Sequence, residues 1–351
     1  MEVQLPIKPF RAQWPRVLAA TIILLLLLAL GLAVVVYKFP DTAFGRLFVS
    51  RLPFPVVMIG KGVAVTTSGL AENREALRHF YESQDFSQIG MRVDFTTEDG
   101  EKRLKLREKD LVNKMLEDKA IQMLAEERGI TVTQDQVETA TTVKMKELGT
   151  TDKVEQSLAR LYNWTIADFQ EKIVRPAMYE EALYSEYQKE VDQSKPKERI
   201  TLAEKSLKEK KAFNDVAQTY SEGETSATGG DLGWFVLEDL APELRSPVDN
   251  AKLNVPTGVI ESDLGYHIML VQETKVEDDG LRSYHLRQIF TRKVSFADWV
   301  AEKMRAMPIS VLSSEYEWRV DEARIDFRSE TLRQFERQIR ENAESDPTVL
   351  F

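Results

Sequence analysis

The chain has 351 residues, 43% hydrophobic and 30% charged, enough for two ordinary domains plus an appendage and too polar for a multi-spanning membrane protein. Lys plus Arg number 47 against 57 for Asp plus Glu, a net charge of −10, so the broad basic footprint of a nucleic-acid binder is missing and no nucleic-acid partner is expected. With no cysteine and three histidines, His79, His267 and His285, the chain cannot build a thiolate zinc site, a disulfide framework or a cysteine nucleophile; no metal site or cofactor is expected.

The first element is an uncharged run from Val17 to Tyr37 with Leu24 to Leu28 unbroken. At about 1.5 Å per residue it crosses a hydrocarbon core of ~30 Å. A cleaved signal peptide has a shorter apolar stretch, roughly 7–15 residues, whereas this run continues through Val34, Val35 and Val36, which favours a retained anchor. Residues 1–16 are then a short tail and 17–37 a transmembrane helix in the lipid bilayer. Lys8, Arg11 and Arg16 before the span are matched by Lys38, Arg46 and Arg51 after it, so charge leaves orientation open. The short leading tail and large following body favour a cytoplasmic N-terminus, a single pass through the cell membrane and an extracytoplasmic body. The absence of cysteine fits an oxidising compartment.

A linker over 38–55, marked by Pro40, Pro53 and Pro55, leads to Val56–Ile59 and Val63–Val65 around Gly60-Lys61-Gly62, a short hairpin. The rest of 56–192 reads as helical. Val112, Met115, Leu116, Ala120, Met123 and Leu124 recur at helical steps and stop at Gly129. Thr133 with Gln136 and Thr165 with Asp168 open further helices as capping boxes, and Pro176 should kink the second of these, which runs to about Glu190. His79 has no sequence partner and reads as a surface residue. Asn163-Trp164-Thr165 fits a glycosylation sequon, but the capping role of Thr165 explains it better. The polar run 192–199 reads as a domain boundary.

Residues 200–220 read as helix. Ser226 to Phe235 then packs Gly229, Gly230 and Gly233 into five positions, where backbone needs positive φ or close approach. Neither the Gly-Lys-Ser/Thr ending of a phosphate loop nor dinucleotide glycine spacing is present. Gly265 to Val271 and Tyr284 to Phe290 read as the strands of a hairpin with a long polar tip, Glu273 to Ser283. Phe296 to Met307 should be helix, Ile309 to Phe327 extended and Ser329 to Asn342 an amphipathic helix. Serine-hydrolase and metalloprotease motifs are missing, and the acidic pairs Glu238-Asp239 and Asp278-Asp279 read as solvated turns.

Tyr220-Ser221, the tract Ser226-Ala-Thr-Gly-Gly-Asp-Leu-Gly-Trp-Phe235 and Gly265-Tyr-His-Ile268 together resemble the parvulin (PpiC-type) peptidyl-prolyl isomerase domain. Residues 56–192 resemble the helical chaperone domain that precedes parvulin domains in the SurA, PrsA and PpiD family. The implied fold class is α+β: an N-terminal transmembrane helix, a mainly helical chaperone domain, and over 198–293 a parvulin-like antiparallel sheet with flanking helices. A helix-strand-helix extension over 294–351 is expected to pack against the isomerase sheet or, more sharply, to form a homodimer contact.

The resemblance implies a first strand of the type x-His-Ile-Leu-Val, whose histidine pairs with that of Gly-Tyr-His-Ile. Nothing of that type precedes Leu202, and Tyr284 to Phe290 follows the Gly-Tyr-His strand instead, so a circular permutation is expected. An antiparallel hairpin centred on residue 276, inside the polar tip, would set His267 opposite His285. The resemblance then implies His267 and His285 as paired imidazoles beneath the substrate amide, with Glu224 as the carboxylate nearest the family's cysteine or aspartate position at Gly223. It also implies a proline pocket from Leu232, Leu240 and Leu244, flanked by Trp234 and Phe235, in which leucines replace the family's methionine and phenylalanine. Rotating an X-Pro amide over a barrier of ~18–20 kcal/mol requires shape and hydrogen bonding, and no bond to the enzyme. The expected function is a membrane-anchored extracytoplasmic foldase, periplasmic or extracellular, isomerising X-Pro bonds in unfolded, newly exported polypeptides and binding their unfolded segments. The rival is a noncatalytic chaperone or assembly factor that uses the parvulin fold as a peptide clamp. A purely structural scaffold would leave the glycine tract and histidine strands without a shared purpose.

Overall fold

The computed structural model describes residues 14–38, 42–60, 62–84, 94–276 and 280–345. The chain divides into two compact units: Met1–Leu183 together with Val300–Phe351, and Tyr184–Trp299.

The first unit opens with α1 (Trp14–Lys38), whose stretch Thr21–Lys38 has a mean hydropathy of 2.5, is 6% buried, and is long and apolar enough to cross a membrane. A short helix α2 (Ala43–Val49) follows, and then the expected hairpin of β1 (Pro55–Ile59) and β2 (Val63–Thr66). Lys61 at its tip lies outside the described residues, as do Asp278-Asp279, Pro40 and most of the leading tail. Thr66 caps α3 (Thr67–Ser83) by accepting the Gly69 N–H. The helix α4 (Glu98–Glu127) starts well before its apolar periodicity. Its polar opening turns are held by the Thr97 cap and the pairs Lys102–Glu98 and Arg103–Asp99, both 2.7 Å. Val112, Leu116 and Ala120 of α4 are fully buried.

Thr133 and Gln136 form both bonds of the expected box at the head of α5 (Gln134–Leu148), and α6 (Thr151–Tyr162) ends on Asn163 with φ +55°. Thr165 and Asp168 form the second box at α7 (Ile166–Phe169). Hydrogen bonds from the Thr165 hydroxyl and backbone N–H hold the Asp168 carboxyl down at about 2. A π turn over Gln170–Val174 joins α7 to α8 (Arg175–Glu190). The break expected at Pro176 thus takes the form of a widened turn just before it, where the missing proline N–H leaves the ladder open.

Unit two begins within α8. The boundary expected over 192–199 thus falls earlier, at Tyr184, and the polar run lies inside the unit, where Asp192 accepts the Ser194 N–H at 2.8 Å at the head of α9 (Ser194–Lys208). Lys210, at φ +65°, separates α9 from α10 (Phe213–Tyr220), so 200–220 holds two helices. Then come β3 (Asp231–Val236), α11 (Pro242–Asp249), β4 (Ile260–Glu261), β5 (Gly265–Val276) and β6 (Arg282–Arg292). These strands form an antiparallel sheet in the order β3-β6-β5-β4. Tyr266, Ile268, Leu270 and Ile289 pack on α9 and α10, while Met269, Val271, Tyr284 and Leu286 pack with Leu240, Leu244 and Val248. The polar stretch after Val271 belongs to the strands, because backbone pairing continues to Val276 and Arg282 beyond the core. Gln193 closes the unit's two ends, exchanging hydrogen bonds with both backbone groups of Val294 at 3.0 and 3.1 Å.

The chain returns through α12 (Phe296–Ala306) to β7 (Ile309–Val311), which pairs with β1, Val57 facing Val311. The hairpin of β8 (Tyr316–Arg319) and β9 (Arg324–Phe327) and the helix α13 (Glu330–Ser345) complete the first unit. Asn113 of α4 accepts the Ile325 N–H at 2.7 Å and donates to its carbonyl at 3.0 Å. Lys109, 2% exposed, is held by Asp326 and Glu336 and lies 5.0 Å from the Phe327 ring centroid. The expectation that 294–351 packs on the isomerase sheet is therefore corrected: β1 has an edge that β2 leaves open, and β7 fills it.

Candidate functional site

The glycine tract is a close-approach device. A 3-10 turn over Glu224–Thr228 ends on Gly229, and Gly230 at φ +80° then brings its backbone against β6. There the Gly230 carbonyl accepts the Gln288 N–H at 2.8 Å, and a Cβ on Gly230 would lie 2.2 Å from the Gln288 carbonyl oxygen. Gly233 at φ +81° carries a bulge in β3, whose N–H is held by the Asp231 side chain at 3.0 Å.

His267 lies on β5, 4% exposed, and both ring nitrogens have partners. The Gln288 amide nitrogen donates to Nδ1 at 2.8 Å, so Nε2 carries the proton and donates to the Ser262 hydroxyl oxygen at 2.7 Å. Ser262 in turn accepts the Leu264 N–H at 3.2 Å. The Phe290 ring covers the imidazole at 4.8 Å. Burial pushes the His267 pKa down to about 4, so the ring is neutral at neutral pH. Ser221 and Glu222 tie the neighbouring loop to β6: the Ser221 oxygen accepts the Phe290 N–H at 3.1 Å and the Phe290 carbonyl accepts the Glu222 N–H at 2.7 Å. Gly223 follows directly, and a Cβ there would meet Ser221 and Phe290 only at 3.5 and 3.8 Å.

The structure corrects the expected pairing of His267 with His285. His267 faces Phe290 across the ladder and His285 faces Glu273. Pairing runs on to Val276 opposite Arg282, well past the register centred on residue 276, and the extra residue between Val271 and Glu273 takes back only one position of that displacement. Side chains alternate along β6, so His285 shares the side of Ile289, opposite to Leu286 and Gln288. It stacks on Trp234 at 5.3 Å and its Nε2 lies 3.1 Å from the Asp231 carboxylate. Leu232, Phe235, Leu240 and Leu244 do come together, in the cluster that holds Met269, two residues along β5 from His267. Leu240 and Leu244 are core residues there, 7% and 5% exposed, whereas Trp234 is 41% exposed. Glu224 is exposed on the 3-10 turn. His79, the third histidine, bonds the Arg160 carbonyl at 3.0 Å in the first unit.

Ser221 belongs to the Tyr220-Ser221 motif, whereas nothing in the sequence marks Gln288, Ser262 or Phe290 as partners of His267. The side chain that meets the His267 ring from β6 is a glutamine, Gln288, three positions beyond His285.

A family model described as Rotamase, PPIC-type PPIASE domain, matches residues 181–273. The chain thus carries a PPIC-type isomerase domain, and β6, which fills the sheet between β3 and β5, lies outside the matched residues. Among curated relatives, the chaperone SurA of Chromobacterium violaceum is 29% identical over 117 residues, 32% of this chain and 27% of that protein. The chaperone SurA of Bordetella avium is 32% identical over 99 residues, 27% of this chain and 19% of that protein. The chain therefore spans about a quarter or less of the length of the curated relatives it matches. The solved peptidylprolyl isomerase PrsA of Bacillus anthracis is 15% identical, covering 54% of this chain and 83% of that one, at a TM-score of 0.19.

Proposed function

We propose that the chain is a membrane-anchored foldase whose body lies outside the cytoplasm. Its second unit is a circularly permuted parvulin domain acting on X-Pro bonds of unfolded exported polypeptides, and its first unit binds unfolded segments. The permutation is supported by β6, which stands beside the Gly-Tyr-His strand although it follows that strand in sequence. The observation that carries the isomerase reading is His267, buried and held in one tautomer by Gln288 and Ser262. Amide rotation needs a rigid, preorganised surface that favours the twisted amide, and no proton need move. Gln288 performs the locking that a second imidazole would perform, so the loss of the histidine pair does not remove the scaffold. In this reading His267 and Gln288 are positioning residues, Leu232 and Phe235 belong to the apolar wall, and His285 with Trp234 stands apart.

The burial of Leu240 and Leu244 favours a second reading, in which the unit clamps peptides without turning them over. Isomerisation of an X-Pro peptide by the full chain in detergent, followed by NMR exchange, separates the two. Catalysis by the wild type, reduced roughly tenfold (~1.4 kcal/mol) by His267→Ala, supports the isomerase. A silent wild type that still suppresses client aggregation supports the clamp. Gly223 sits at φ −72° and a Cβ there makes only ordinary contacts, so Gly223→Asp with Gln288→His should raise turnover if the site is a working isomerase.

A further inference from the structure

Helix α2 has a side that the first unit leaves uncovered. Its frame is fixed: Thr42 accepts the Gly45 N–H at 3.0 Å, and the Phe48 carbonyl accepts the N–H groups of Arg51 and Leu52 at 3.2 and 2.9 Å. Gly45 is buried, and Val49 lines a cavity of about 110 Å³ together with Val36 and Tyr37 of α1 and Val56 of β1. Phe44 and Leu47, by contrast, are 62% and 41% exposed, and Phe44 is the most exposed aromatic side chain among the described residues. The Phe44 ring leans edge-on against Phe48 at 4.9 Å, which stiffens the patch.

What covers this patch follows from its attachment. The exposed apolar side chains of α1 continue to Val34 and stop at Val36, which is 3% exposed because the first unit closes over the last turn. There the Tyr37 hydroxyl donates to the Pro55 carbonyl at 2.8 Å and the Ser314 hydroxyl donates to the Tyr37 carbonyl at 3.2 Å. Thr42 begins within about 15 Å of chain from Lys38, so α2 cannot leave the neighbourhood of the α1 end. Residues 42–55 contain no acidic side chain, and Lys38 and Arg51 on either side of α2 are exposed, which suits phosphate headgroups. A seven-residue helix has too little apolar surface to hold a bilayer alone. Linked to a spanning helix, its docking becomes intramolecular and a small patch suffices.

We infer that α2 is an interfacial foot: Phe44 and Leu47 enter the acyl boundary beside α1, and the contact fixes how the first unit stands on the phospholipid surface. This rests on α1 spanning the bilayer. The chain has no cysteine, so single nitroxide labels can be placed without background at Leu27→Cys on α1, Phe44→Cys and Leu47→Cys on α2, and Leu148→Cys as an exposed reference. The full chain is reconstituted in phosphatidylcholine and phosphatidylglycerol vesicles, and collision rates with oxygen and with a water-soluble nickel chelate are read by EPR. Oxygen-to-nickel ratios at 44 and 47 several-fold above that at 148, with 27 higher still, bear the inference out. A high ratio at 27 with 44 and 47 equal to 148 overturns it and leaves the anchor standing. A ratio at 27 equal to 148 overturns the anchor, and the foot with it.

Discussion

The two sides of the second unit's sheet treat a histidine in opposite ways. On one side His267 is buried among Gln288, Ser262 and Phe290, kept neutral by desolvation and locked by two hydrogen bonds. On the other, His285 is partly open, stacked on an exposed tryptophan and facing a carboxylate that Arg287 shares at 3.4 Å. The first environment makes the ring a rigid neutral strut whose removal would take a hydrogen bond from both Gln288 and Ser262. The second makes a half-exposed polar contact, which contributes little in water. Residue identity therefore says less about role than the side of the sheet on which the residue falls.

The contrast can be broken most forcefully at His267. His267→Ala empties a packed site and takes a partner from both the Gln288 amide and the Ser262 hydroxyl, and should cost about 3 kcal/mol in urea unfolding of the second unit. Acid acts through the same ring. Between pH 6.5 and 4 the unfolded chain binds a proton at this residue that the folded chain refuses, so stability falls as pH falls across that window. The loss is about 3 kcal/mol at most and levels off below pH 4, and unfolding midpoints of wild type and His267→Leu compared across the window isolate it. Gln288→Leu removes one partner while leaving the ring in place; about 1–2 kcal/mol is expected in the same unfolding measurement. His285→Ala sharpens the comparison from the other side, with a loss below about 1 kcal/mol in the same measurement. Glu224→Gln, on an exposed turn, should leave both stability and isomerase rate unchanged; a drop in rate alone would restore it to the site.

Much of the fold was legible because local rules acted without competition. The Thr133–Gln136 and Thr165–Asp168 boxes, the β1–β2 hairpin and the Gly229–Gly233 turns each depend on side chains a few positions apart. The opening of α4 was not legible, since its turns are held by caps and ion pairs rather than by apolar repeats. Strand register was illegible for a different reason: pairing that runs on to Val276 and Arg282 moved His285 away from His267, an extra residue near Gln272 returned one position of that shift, and neither leaves a mark in hydrophobic pattern. The partner of His267 was hidden by its chemistry, because a glutamine amide can hold an imidazole nitrogen as well as a second ring can. The tail's destination was equally hidden, since β7 is three residues long and finds β1 only in three dimensions.

That pairing has a consequence for biosynthesis. The first sheet needs β7, which leaves the ribosome only after the whole intervening unit has been made. Joining strands so far apart in an unfolded chain carries a large closure entropy, whereas Gln193 and Val294 clasp one another once the intervening unit has formed. The middle of the polypeptide is therefore expected to fold first and to present the outer segments to each other. A nascent chain halted before residue 309 would display the open edge of β1, a template on which another chain can pair and aggregate.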